Sequence, residues 1–262
     1  MVSRRKDVEC HQCGNAQMRL TNLDLEKYTS MSEQDRVSYA LSIEDMQQTI
    51  GFGGYQTAAV SSIEKVRTND CDGPASINNN FTGVGSVGFP AATLIGMTWN
   101  KDLAYSFGDS IGEMANEMDT SGWYGPAMNI HRTAFAGRNF EYYSEDGVLS
   151  GLMASNAIAG AQEHGVYAYM KHFALNDQEG NRTSMAATWS NEQAIREIYL
   201  KPYEIAVKEG DVTGGMTAFN RIGDAVCSTN YALLESIFRN EWNFRAPSLP
   251  TARTMLSTVI LT

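Results

Sequence analysis

The chain has 262 residues, of which 43% are hydrophobic, 10% aromatic and 19% charged, so it can bury a sizeable core and is not a disordered chain. Its formal net charge is −10 and its Lys and Arg residues form no stripe. Nucleic acid and anionic membrane both need clustered positive charge, which excludes them as partners, whereas an uncharged substrate such as a sugar fits the balance.

Four cysteines, Cys10, Cys13, Cys71 and Cys227, are too few to staple a secreted scaffold of this length. Cys10 and Cys13 make a single C-x-x-C with no second pair at zinc spacing, so reduced thiols are expected there, and no metal or cofactor. The opening MVSRRKDVECHQCGNAQ has basic residues with no apolar stretch behind them, so no signal peptide is expected. No window approaches the roughly 18 apolar residues of a spanning helix, and the expectation is a soluble cytoplasmic protein.

Residues 1–35 are polar and weakly patterned. A loop-rich stretch covers 51–90, marked by Gly51, Gly53 and Gly54, by Asp72-Gly73-Pro74 and by Asn78 to Asn80. After Pro90 the chain alternates. Asn100 is expected to cap a helix with Leu103, Phe107, Ile111 and Met114 on one face. A strand is expected at Trp123 to Ile130, a helix at roughly 146–163 carrying Leu149, Leu152, Met153 and Ile158, and a buried strand at Val166 to Phe173. Ser190 with Gln193 reads as a capping box for a helix to about 209, which Pro202 should kink or split. Gly215 to Phe219 then reads as a strand, and Asn230 as the cap of a helix near 230–241. This alternation argues for βαβ units and a parallel sheet, either a barrel or an open doubly wound sheet. After Glu241 no Asp or Glu occurs, and RAPSLPTARTMLSTVILT breaks the pattern where another strand is due.

In a parallel βα fold the ligand site forms at the carboxyl ends of the strands. That rule selects Lys171-His172, Asn129 to Arg132 and Met216 to Asn220 at three strand ends, and Arg138 to Glu141 in a following loop. Cationic and imidazole donors beside Trp and Tyr suit a neutral polyol, whose oxygens accept hydrogen bonds and whose C–H face packs on rings. Each feature also has a plain structural reading. Lys171-His172 could be an ion pair, Arg138 and Glu141 a surface salt bridge, Met216 core, and Asp72 a turn residue before Gly-Pro.

Together, GPAMNIHR, GRNFEYYSED, GVYAYMKHFALNDQEGNR, QAIREIYLKPYEIAVKEG and GGMTAFN, with DGP upstream and FPAATLIGMTWNKDLA between, resemble glycoside hydrolase family 3 in kind and order. The resemblance spans roughly residues 68 to 244. It implies a (β/α)8 TIM-type barrel of the α/β class, incomplete at its C-terminal end, occupying 36–244 between a poorly placed 1–35 and a divergent tail at 245–262. It also implies a second, α/β sandwich domain in a full-length enzyme, and a small-molecule β-glucoside or oligosaccharide as partner.

Further implications are residue by residue. Asp72, matching DGP, would take hydroxyls at the far side of a bound glucose. Arg138, Lys171, His172 and Arg182 would hold further hydroxyls of the −1 subsite. Met216 and Phe219 would line the pocket, Phe219 lacking the hydroxyl of the Tyr often found there. The resemblance also implies a cis bond at Lys171-His172. KHFALNDQEGNR lacks the mobile His of the N-acetylglucosaminidase branch, which favours the glucosidase branch and its xylosidase-like members. Retaining chemistry needs two carboxyl groups about 5–5.5 Å apart. The V-x-[ST]-D-W strand that carries the family's nucleophile does not follow EWNFR, and the acid/base Glu belongs to the second domain, so no catalytic residue is assigned. Two other readings remain at this point: a non-catalytic or decayed sugar-binding remnant, and a Schiff-base lyase using Lys171.

Overall fold

A computed structural model of the chain describes residues 30–32, 35, 41–51, 54–61, 65–79, 81–183, 186–244 and 248–250. The C-x-x-C of Cys10 and Cys13, most of segment 1–35, and residues 251–262 of the tail lie outside the described residues.

After helix α1 (Ile43–Gly51) the chain enters a six-stranded sheet. Strand β1 (Gln56–Thr57) runs antiparallel to β2 (Thr68–Asp72). From β2 onward every pairing in that sheet is parallel. The strand order follows the chain through β3 (Gly122–Tyr124), β4 (Tyr167–Phe173), β6 (Gly214–Thr217) and β9 (Ser248–Pro250). A doubly wound sheet reverses its strand order at a switch point; this one never does. The two topologies that the alternation left open therefore resolve to the barrel type, curled and part-closed. Strand β9 occupies the slot beside β6 where the tail interrupts the sequence pattern, Gly215 pairing with Ser248.

The connecting helices cover one face of the sheet. They are α2 (Ala92–Met97), α3 (Lys101–Glu117), α4 (Gly147–Glu163) and α5 (Lys201–Lys208). Asn100 caps α3, its Oδ1 accepting from the amides of Asp102 and Leu103, and Asp146 caps α4 in the same way. The buried stripe of α3 is Ala104, Phe107, Gly108, Ile111, Gly112 and Ala115, while Leu103 is exposed, a correction to the expected face. The cause is the close approach of α4. A Cβ on Gly108 would lie 1.9 Å from the Ala157 carbonyl, and one on Gly160 2.2 Å from that of Tyr105. Small residues therefore centre the stripe.

Three further expectations are corrected. The buried run 122–130 keeps regular pairing only to Tyr124, because Pro126 has no N–H to donate; contact with β4 resumes around Lys171, whose N donates to the Pro126 carbonyl at 3.0 Å and whose carbonyl accepts from Met128 N at 2.8 Å. Asn191, not Ser190, caps the next helix, its Oδ1 accepting from Ala194 N at 2.8 Å, and Gln193 donates forward to Glu197 instead of back to a cap. The third is a shortening: β6 ends at Thr217, before Phe219. Pro202 does split its helix: Ile195–Tyr199 is π-helical, and α5 restarts at Lys201 with the proline in its first turn. Asn230 caps the π-helical segment Ala232–Glu241 through Leu233 N at 3.1 Å.

The main core lies between sheet and helices. Phe173 stacks on Phe238 at 4.6 Å, with Tyr203 and Trp242 edge-on to it. A smaller cluster of Tyr124, Tyr169 and Met216 fills the opposite, inner face. Side chains alternate between faces along a strand, so Asp70 and Asp72 of β2, and Tyr169 and Lys171 of β4, share that inner face. At the carboxyl rim β5 (Ala187–Thr188), β7 (Arg221–Ile222) and β8 (Ala225–Val226) form a small second sheet.

Candidate functional site

The polar cup begins where β2 and β4 end. Asp72 Oδ1 accepts from its neighbour Gly73 N at 2.9 Å and from Lys171 Nζ at 3.0 Å. The Lys171 side chain is 3% exposed and that of Asp72 46%, so the cation is held inside while its acid faces the opening. Burial alone would raise the Asp72 carboxyl. The Lys171 ammonium, the Gly73 amide and the Arg138 guanidinium outweigh it and hold the group below the usual carboxylate range, ionised at neutral pH.

The Lys171–His172 bond is cis, as the resemblance implies, and so is Phe173–Ala174. His172 is 2% exposed. Its carbonyl accepts from Asn129 Nδ2 at 3.0 Å and from the Tyr203 hydroxyl at 2.9 Å, and its Nδ1 faces Asn129 Oδ1 at 3.3 Å. Burial, and then the positive charges of Lys171, Arg138 and Arg182, push its pKa well below the ordinary imidazole value. The ring is neutral. With Nδ1–H donating to Asn129, Nε2 is left as an acceptor.

Arg138 comes from the loop after β3 and Arg182 from the loop after β4. Arg138 Nε donates to Glu141; burial alone would lower the guanidinium pKa, but that hydrogen bond together with the negative charges of Glu141 and Glu179 raises it. Arg182 Nη2 pairs with Glu179 at 3.1 Å, and its guanidinium lies 4.8 Å from the centre of the Phe219 ring. Burial and nearby Arg138 lower the Arg182 pKa despite Glu179. Arg182 Nη1 is buried with no hydrogen-bond partner, a donor left open beside the cup.

The structure thus gathers Asp72, Arg138, Lys171, His172 and Arg182 into one electrostatic neighbourhood, with Phe219 half-buried behind Arg182. Met216 sits deeper, 5% exposed against Tyr124 and Tyr169 on the same sheet face as Lys171. Sequence reasoning missed Glu179, which lies between the two arginines, and Asp70, fully buried below Asp72. Glu179 and Arg182 are three positions apart, but in a turn and not a helix, so the spacing alone marks no pair. A groove of about 330 Å³ lined by Arg196, Lys201, Glu204 and Glu241 involves none of these residues. Among the described residues no three of His, Cys, Asp and Glu gather as metal ligands, and no helix is long and apolar enough to cross a membrane.

Sequentially ordered parallel strands, helices on one face and donors converging at the carboxyl rim define a (β/α)8-type barrel with its site at the usual mouth. Residues 69–249 match the model of the glycosyl hydrolase family 3 N terminal domain, and the chain belongs to that family. It is 40% identical over 200 residues to beta-glucosidase A of Butyrivibrio fibrisolvens, covering 76% of this chain and 23% of that protein. Beta-glucosidase 3B of Thermotoga neapolitana, solved in complex with α-D-glucose, superposes with a TM-score of 0.72 at 34% identity over 87% of this chain and 33% of its own. The GH3 beta-glucosidase of Bifidobacterium adolescentis gives 0.75 at 30% identity over 79% and 30%. The chain therefore spans about a quarter of the length of the curated relatives it matches.

Proposed function

We propose that this chain supplies the −1 sugar subsite of a β-glucosidase-type, retaining glycoside hydrolase, which removes terminal β-linked glucosyl residues from glycosides or oligosaccharides. The observation that carries the reading is the Asp72–Lys171 pair at the mouth of the barrel, with Arg138 and Arg182 in the same field. An ionised carboxylate beside fixed cations presents acceptor and donors together, the combination that neighbouring sugar hydroxyls satisfy, each being both donor and acceptor.

In this reading Asp72 accepts from two hydroxyls, and Arg138, Lys171 and Arg182 donate to sugar oxygens. Neutral His172 accepts through Nε2, and Met216 and Phe219 form the apolar wall. None of these residues serves as nucleophile or acid/base. Their work is binding and orientation, which fixes the anomeric carbon before the bond is attacked. The companion we propose is an α/β sandwich domain, bringing the acid/base carboxyl to the same mouth.

The test is calorimetry of the 262-residue chain with glucose and glucono-1,5-lactone, beside an aryl β-glucoside assay. Saturable lactone binding that Asp72→Ala abolishes, without hydrolysis, is the expected result. No binding by a folded chain would sink the reading. Hydrolysis abolished by Arg138→Ala would overturn the purely binding role given to these residues.

A further inference from the structure

We infer that Glu179 is a positioning residue of this site, one carboxylate that fixes the orientation of both sugar-facing arginines. The inference rests on the sugar-site reading above and adds to it a residue that touches no substrate. Glu179 Oε2 pairs with Arg182 Nη2 at 3.1 Å, and Oε1 lies 3.8 Å from Arg138 Nη1. The same Oε1 accepts from Asn176 Nδ2 at 3.0 Å, and Asn176 Nδ2 also lies 3.4 Å from the Tyr142 hydroxyl. The carboxylate is therefore held from behind while it holds two cations in front.

Its stem is located too. Gly137, at φ +93°, leaves room for Glu179: a Cβ there would lie 3.1 Å from the Glu179 Cγ. That contact binds the Arg138 loop to the Glu179 loop by packing as well as by charge. Without an anion between them two guanidiniums in one neighbourhood repel, and the effect of Arg138 on Arg182 is to lower its pKa. Glu179 offsets that repulsion. It also leaves Arg182 Nη1 buried and unpartnered, so the donor is aimed before any ligand arrives. Arg138 has a second anchor in Glu141, whereas Arg182 has only Glu179 and the Phe219 ring among the contacts described. The loss on removing Glu179 should therefore pass mainly through Arg182.

The experiment is a double-mutant cycle on the full chain, reading glucono-1,5-lactone affinity by calorimetry and the guanidinium N–H resonances of Arg138 and Arg182 by NMR. Glu179→Gln keeps the shape and removes the charge. It should weaken binding about tenfold or more, the scale of one charge-assisted contact, and shift the Arg182 resonance without ligand. In an Arg182→Ala background the same change should cost less than threefold. Equal losses in both backgrounds, or an unmoved Arg182 resonance, overturn the inference while leaving the sugar site intact. A wild-type chain that binds no lactone overturns the sugar-site reading and this inference with it.

Discussion

Lys171 Nζ donates to Asp72 Oδ1 at 3.0 Å, joining the end of β4 to the end of β2 across the intervening β3 and across 99 positions of sequence. The two partners are unequal, because the ammonium is almost wholly enclosed and the carboxylate is half open. Removing the acid strands a buried charge; removing the base leaves a carboxylate that water can reach. Asp72→Ala should thus cost about 1–3 kcal/mol of stability and Lys171→Met distinctly less. Urea unfolding of both variants checks this, and equal losses would mean that the pair is as exposed as an ordinary surface bridge.

Asp70 is fully buried two residues before Asp72, with both carboxyl oxygens lacking a geometric hydrogen-bond partner. Burial pushes its pKa up to about 6, more than the nearby Tyr169 hydroxyl and Lys65 ammonium pull it down. A raised carboxyl pKa means that the folded state binds the proton more tightly than the unfolded one. The group costs nothing below pH about 4, and its destabilising effect grows as pH rises to about 6, reaching at most about 3 kcal/mol. Asp70→Asn should remove that slope and raise the unfolding midpoint at pH 7, leaving pH 4 unchanged. Thermal unfolding at both pH values checks it.

Local signals were legible in the sequence where one side chain decides the structure. Asn100 and Asn230 cap their helices, and Pro202 divides its own, because each effect needs only the adjacent backbone. The strand end at Lys171 was legible from the apolar run before it; β2 and its end at Asp72 were not, since they lie in a stretch that reads as loop-rich. The α3 stripe was not, since which residues are buried depends on how closely α4 approaches. Nor were Glu179 and Asp70, whose roles come from partners on other loops and strands: Arg138 lies 41 positions from Glu179 in sequence, and nothing local marks Asp70 as buried. The alternation of strands and helices did not choose between barrel and open sheet; the family resemblance did, and the order of strands in space agrees with it.

The α3–α4 contact has little tolerance for added volume. At Gly108 a methyl group would meet the carbonyl of Ala157 at 1.9 Å, and backbone cannot swing aside as a side chain can. Gly108→Ala should therefore destabilise by about 1–3 kcal/mol, against the gain of up to about 1 kcal/mol that an alanine normally brings to a helix interior. Thermal unfolding followed by far-ultraviolet circular dichroism measures the sign, and a stabilised variant would show that the helices can separate freely.

The Tyr203 hydroxyl reaches from α5 through the core to the His172 carbonyl at 2.9 Å, and Tyr203 is fully buried. That carbonyl also accepts from Asn129 Nδ2, so α5 and the loop after β3 fasten the same backbone atom from two sides. Tyr203→Phe keeps the ring packed on Phe173 and removes one of the two bonds. The carbonyl retains Asn129, so the stability loss should be only about 1 kcal/mol. The site should lose more in proportion, because Lys171 and His172 are adjacent and both would gain freedom to move. Lactone affinity falling severalfold while stability falls little is the expected pattern. Asn129→Ala is the comparison: it removes the other bond and also the Oδ1 that accepts from His172 N at 2.8 Å. It should cost more than Tyr203→Phe on both measures, and the reverse order would place the control of His172 in the helix instead of the loop.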